Sequence, residues 1–248
     1  MGINSPSRTG ISTAFRYGIR PVGGLLVLAL LVAGALPARA PDRISWEIVE
    51  TGELPSDLRV YADETNGIAS ILADVMVDEE FIAQNGTDWR DALDLALDAA
   101  NGILEEVGVR LVTASVTTWE SNDDQTHMAR ILDEVLVGAH RGSGRMILAV
   151  TCQDSVRFDG ISRSSVSAAA TRHVHENWER NGSLIAHEVG HLLGANHHPA
   201  NEECESDGCL MEKAGYAHAT EWCDDHEEII RAYLAEAATS PTVQMGTT

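Results

Sequence analysis

Three histidines and a glutamate stand at spacings that could hold and use one metal ion: residues 187–197 read His187-Glu188-Val189-Gly190-His191-Leu192-Leu193-Gly194-Ala195-Asn196-His197. On a helix, residues four apart share a face with about 6 Å between them, so His187 and His191 can reach one ion. Gly194 supplies the positive φ that ends the helix and turns the chain, which lets His197 return as third ligand. Three neutral imidazoles leave one tetrahedral position open, the coordination of a catalytic zinc, whereas structural zinc sites are closed. Glu188 points in a different direction from His187 and is the candidate general base for peptide hydrolysis by a water whose pKa zinc lowers toward about 7. A single catalytic Zn2+ is the expected cofactor.

A helix carrying these residues needs a start and a support. Ser183 or Asn181 can cap it, and Ile185, Val189 and Leu192 fall opposite the histidines, where they would pack on a sheet. Leu58 to Ala62 alternates and suits a first strand, with a helix expected next. Thr87 or Asp88 can cap a long helix whose Leu93, Leu97, Ala100, Leu104 and Val107 form an apolar stripe, while Asp91, Asp94 and Asp98 stay outside. Gly108 stops it, and Val109 to Trp119 is rich in β-branched residues, as strands are. Residues 126–139 predict an amphipathic helix through Met128, Ile131, Leu132, Val135 and Leu136. Met146 to Val150 predicts a strand buried on both faces, and the serine-rich Gly160 to Ala170 an exposed edge strand. A last helix follows Asp224-Asp225, with Ile229, Ile230, Tyr233 and Leu234 inward. Alternating strands and helices make this an α/β chain.

Composition bounds the setting. The chain has 248 residues and a formal charge of −21. Residues 1–40 hold four arginines and no acid, so the remainder is more acidic still. Lys213 is the one lysine. Such a surface repels nucleic acid and resembles the acidic proteins of salt-loving prokaryotes. Arg8, Arg16 and Arg20 precede an apolar run from Val22 to Leu36 and the small-x-small pattern Ala38-Arg39-Ala40, so residues 1–40 are expected to be a signal peptide. Pro41 would hinder its cleavage, and a retained membrane anchor is the alternative. The protein is expected outside the cell, free or anchored, as a monomer that touches a membrane only through that segment. Residues 41–238 would be the catalytic domain and 239–248 a flexible tail. Four cysteines in an exported chain suggest two disulfides, Cys204 with Cys209 and Cys152 with Cys223, because their spacings are wider than those of a cysteine zinc site.

The zinc motif, followed 14 residues later by Met211, resembles the metzincins with their Met-turn. Within them the chain is most similar to the adamalysin/reprolysin group. The similarity spans residues 58–235 and is carried also by Thr117-Thr118-Trp119-Glu120-Ser121-Asn122, Phe158-Asp159-Gly160 and Cys209-Leu210-Met211. It implies a mixed, mostly parallel five-stranded sheet, an active-site helix, and a small irregular C-terminal subdomain with a Met-turn and a terminal helix. It further implies that His187, His191 and His197 bind zinc, that Glu188 is catalytic, and that Met211 forms the floor beneath the metal. The edge strand around Ser162 to Ala168 would pair with an extended protein or peptide substrate, and residues through Tyr216 and His218 would line the specificity pocket. His198 stands where the adamalysin group carries aspartate, which leaves the subfamily open.

Other groups are weaker candidates. His198 is expected to face solvent or to support a ligand, and His173 and His175 to be satisfied histidines rather than a second ion site. Ca2+ is conceivable at Asp123-Asp124 and at Glu202-Glu203 with Glu205 and Asp207, although no loop pattern supports it. The sequence therefore points to a zinc-dependent endopeptidase, with a noncatalytic binding or adhesion protein of the same fold as the alternative.

Overall fold

A mixed sheet carries the site, and its centre is a strand that the sequence reading expected to be a helix. The computed structural model describes residues 58–62, 67–139, 144–154, 156, 159–198, 208–212 and 219–239. The chain divides into two units, Met1–Val49 and Glu50–Thr248, and every described residue lies in the second. The expectations for residues 1–40 and 240–248 thus fall outside the described residues, as do those for Tyr216 and His218. Among the described residues no helix is long and apolar enough to cross a membrane.

The short strand β1 (Val60–Ala62) leads into β2 (Ala69–Asp78), then α1 (Glu79–Asn85), α2 (Trp89–Leu104) and β3 (Val109–Trp119). There follow α3 (Met128–Gly138), β4 (Met146–Thr151), β5 (Gly160–Arg163), β6 (Ala168–Arg172), α4 (Trp178–Leu192) and α5 (Asp224–Thr239). The sheet has six strands, one more than expected, in the order β1-β2-β4-β6-β5, with β3 on the other edge of β2. Pairings β2–β3, β2–β4 and β4–β6 are parallel, while β1–β2 and β5–β6 are antiparallel.

Period-two alternation sorts the strands' side chains onto two faces. Ile71, Ala73, Val75 and Val77 of β2, with Met146, Leu148 and Val150 of β4, join the core shared with α2 and α4. Met76, Ile147 and Ala149 pack instead with Met128, Ile131, Leu132 and Val135 of α3. Helices on both faces explain why all of β4 is buried. The stripe expected on the long helix is buried as drawn, and Asp91, Asp94 and Asp98 are exposed. Its start differs, since a 3-10 turn over Gly86–Asp88 leads into α2 and Asp88 makes no capping hydrogen bond. Gly108 is left-handed, φ 78°, at the stop. On α5, Ile230 and Tyr233 are buried but Ile229 is exposed, contrary to expectation.

The serine-rich stretch is two strands, not one. Ser164–Val166 form a 3-10 turn and Ser167 takes φ 48°, which reverses the chain. The edge strand is therefore only Gly160–Arg163, and Ala168 to Ala170 lie fully buried inside the sheet.

Candidate metal centre and active-site helix

Helix α4 begins at Trp178, upstream of both expected caps, Asn181 and Ser183. Asn177 caps it, its side chain accepting from Arg180 N at 3.2 Å. Ser183 Oγ instead donates to the Glu179 carbonyl at 3.0 Å, and Asn181 sits inside the helix, holding Val174 by its N–H (2.8 Å) and its carbonyl (2.9 Å). The helix lies hard against α2, because a Cβ on Gly182 would fall 2.5 Å from Ala99 Cβ and 2.8 Å from the Ala100 backbone nitrogen. Only glycine permits that approach, and it pins the helix with Leu184, Ile185, Val189 and Leu192 buried.

The histidines converge. His187 Nε2 lies 3.1 Å from His191 Nε2 and 3.1 Å from His197 Nε2. Gly194 takes φ 89°, the turn that brings His197 back. In the two helix histidines the other ring nitrogen faces a carbonyl: His187 Nδ1 meets Leu210 O at 2.7 Å, and His191 Nδ1 meets Ala195 O at 2.8 Å. Those contacts require an N–H at Nδ1, so the Nε2 atoms of His187 and His191 each present a lone pair. Those two lone pairs, 3.1 Å apart, repel unless a cation lies between them. Tetrahedral Zn–N bonds of about 2.0–2.1 Å would set nitrogens about 3.3 Å apart, so the set fits a zinc ion. Burial, with the neighbouring imidazoles, pulls His187 down to about 4 and His191 to about 3, which keeps both in the neutral form that binds metal.

Glu188, the next residue, is buried, and its Oε2 has no hydrogen-bond partner among the described residues. Burial pushes its carboxyl up to about 8, a rise moderated by a hydrogen bond with the Ser162 side chain. A cation nearby lowers such a value. The start of β5 leans directly on this carboxylate: a Cβ on Gly160 would fall 2.4 Å from Glu188 Oε1. Asp159, just before it, is held by Arg172 of β6, whose Nε donates at 2.8 Å, and by Arg180 of α4. Ser162, Gly160 and Asp159 thus position the carboxylate, a role that the sequence reading did not assign to Ser162. Alternation along the edge strand was the available signal, since Gly160 and Ser162 share a face.

Met211 is fully buried beside the helix, where a Cβ on Gly190 would meet Met211 Sδ at 3.0 Å and the Trp222 ring at 2.8 Å. The Met-turn also supplies the Leu210 carbonyl that orients His187. The Trp222 indole donates to Ile103 O at 3.1 Å, which ties this region to the end of α2.

Two expectations need correction. Cys152 is a free, buried thiol at the end of β4, its backbone N–H 3.4 Å from Asp78 Oδ1, so it is not bonded to Cys223. Cys204 lies outside the described residues. His198 is half-buried rather than solvated: its Nε2 lies 3.4 Å from Cys223 Sγ, in a group with Cys209 and His226. The spacing argument against cysteine ligands overlooked Cys223-x-x-His226, in which histidine takes the second place of a paired motif. Of the remaining candidates, buried His173 packs edge-on to Phe81, ring centroids 4.7 Å apart, while His175 is exposed. Asp123 meets Glu79 and Glu80 in a partly exposed acidic group, and Glu202, Glu203, Glu205 and Asp207 lie outside the described residues.

The family description "Metallo-peptidase family M12", Reprolysin_5, matches residues 69–240. No curated protein sequence matches the chain. Among solved structures, archaemetzincin from Methanopyrus kandleri is similar at TM-score 0.50 and 15% identity, over 70% of this chain and 98% of that one. A protein described as a chaperone–substrate complex is similar at TM-score 0.51 and 10% identity, over 69% of this chain and 35% of that one. At these identities the likeness shows the fold alone. With the family match spanning most of the domain that carries the three converged histidines, the chain belongs to metallopeptidase family M12 and is a metzincin-like zinc peptidase.

Proposed function

We propose that the protein is an exported endopeptidase in which His187, His191 and His197 hold the zinc and Glu188 is the general base. The convergence of three Nε2 atoms, two of them from a helix that also carries a buried, half-unpartnered carboxylate, is the observation that carries this reading. Bound zinc supplies Lewis acidity and lowers the pKa of water. The chain's own part is proton handling: Glu188 Oε2, with no protein partner, takes the proton from the attacking water and returns it to the leaving nitrogen. Ser162 and Gly160 hold Oε1 in place, so that the carboxylate keeps one oxygen for this exchange. Endopeptidase action is supported by β5, which pairs with β6 on one side only and offers its other edge to an extended chain that can continue past the site in both directions. Export is supported by the arginine-led apolar run and the small-x-small pattern of residues 1–40.

The test is cleavage of a denatured protein, in high and low salt, with and without a chelator, for wild type and Glu188→Ala. Internal fragments from wild type, lost with chelator and with the substitution, are the expected result. Stoichiometric zinc with no cleavage of diverse substrates would favour a noncatalytic binding protein. A mature amino terminus at Pro41 or later would exclude the anchored form.

A further inference from the structure

His198, Cys209, Cys223 and His226 come from three separate stretches of chain, yet their ligand atoms all lie within 4.8 Å of one another. His226 Nδ1 is 2.9 Å from Cys223 Sγ and 3.4 Å from Cys209 Sγ, and His198 Nε2 is 3.4 Å from Cys223 Sγ. Tetrahedral zinc, with bonds of about 2.0–2.1 Å to nitrogen and 2.3 Å to sulfur, would separate its ligands by about 3.3–3.8 Å. The other nitrogen of His226 is already committed: Nε2 lies 2.7 Å from the Asn196 carbonyl and must carry the proton, which leaves Nδ1 as a lone pair facing the two sulfurs. Cys209, Cys223 and His226 are buried and His198 is partly so.

We propose that these four side chains form a second, structural zinc site, distinct from the three-histidine centre. Two thiolates and two imidazoles in tetrahedral array are the donor set that selects zinc, and four protein ligands leave no position for water or substrate. The site is placed to brace the active centre. His198 follows the third histidine of that centre directly. Cys209 lies two residues before Met211, in a turn whose Leu210 N–H bonds the Glu221 carbonyl at 2.8 Å. Cys223 and His226 open α5. One ion would therefore join the return of His197, the Met-turn and the last helix, in a region between α4 and α5 where the described residues hold almost no regular structure. The inference does not depend on catalysis.

The experiment is metal analysis of the full-length protein after equilibration with zinc, then spectroscopy after exchange for Co2+. Wild type should hold two equivalents and His191→Ala one. The cobalt-loaded His191→Ala protein should keep the thiolate-to-cobalt charge-transfer absorption in the near ultraviolet, which a site of three imidazoles cannot produce. Cys223→Ser should lose that band and one equivalent of metal. Should Cys223→Ser fail to fold, wild type and His191→Ala still decide the matter. One equivalent in wild type, or cobalt bound to His191→Ala without a thiolate band, would overturn the proposal. Failure of the peptidase reading would appear separately, as metal bound without cleavage.

Discussion

The two histidine clusters share a chain junction, His197–His198, and differ in almost everything else. The first uses imidazoles alone, offers two partly exposed ligands of three, and stands beside a buried carboxylate with an unpartnered oxygen. The second mixes sulfur with nitrogen, offers four ligand atoms instead of three, and has three of its four members buried. An open donor set leaves room for a reaction, while a closed one spends its ligands on holding chain segments together. That chemical difference, rather than proximity or residue type, separates the proposed working site from the proposed bracing site.

Substitutions can break this contrast, and the largest effect is expected at the carboxylate. Glu188→Ala should lower kcat by about 10²–10⁴-fold, since it removes the proposed general base and acid together, yet leave the bound zinc and the melting temperature nearly unchanged. Cleavage assays beside calorimetry check it. The reverse pattern is expected at the second cluster. A Cys223→Ser/His226→Ala chain should lose on the order of 3 kcal/mol, about 6–12 °C in Tm for a domain of this size, with any loss of cleavage following from loosened geometry. Thermal unfolding of zinc-replete protein measures this.

A third change probes the contact between the regions. Gly190→Ala would drive a methyl to 2.8 Å from Trp222 and 3.0 Å from Met211 Sδ, next in sequence to Cys223 and close to Cys209. A cost of about 1–3 kcal/mol is expected from this overpacking, along with lowered activity, because both clusters rest on the displaced turn. Unaltered activity and Tm would mean that the Met-turn shifts freely.

The smallest expected effect on cleavage lies away from both clusters. Burial pushes Asp78 up to about 7 from an ordinary 3.8, against its hydrogen bonds with Thr151 and the Phe81 N–H. The folded state then binds a proton that the unfolded state has released, so this group's contribution to stability declines as pH rises from about 3.8 to 7. Asp78→Asn keeps the cap on α1 and should flatten that decline while leaving both metal counts unchanged. Chemical denaturation at pH 4.5 and 7.5 would show the difference.

The catalytic helix was legible because it is local. His187, Glu188 and His191 obey helical spacing, Gly194 reports its own backbone angle, and the apolar face of the long helix names its partners. The centre of the sheet was not. Ala69 to Asp78 is covered on both faces, so it lacks the alternation of a half-buried strand, and Asp74 interrupts its apolar run. Asp74 is tolerated there because Arg145 and Ser115 reach it at 3.0 and 2.7 Å, and neither partner is near it in sequence. The serine-rich stretch misled in a similar way. Serine is compatible with an edge strand, a turn or a buried position, and only the pairing of Ala168–Arg172 with Met146–Thr151 distinguishes them.

By itself, the sequence determined an acidic chain of alternating strands and helices and a three-histidine motif with its glutamate. Those features arise from composition and from interactions a few residues apart, where backbone geometry leaves little choice. Only the tertiary structure decided that Ser162 and Gly160 close on Glu188, that Leu210 orients His187, and that His198 meets Cys209, Cys223 and His226. Each of those depends on contacts between segments whose separation along the chain carries no period, so their positions follow from how the sheet, α4 and α5 pack.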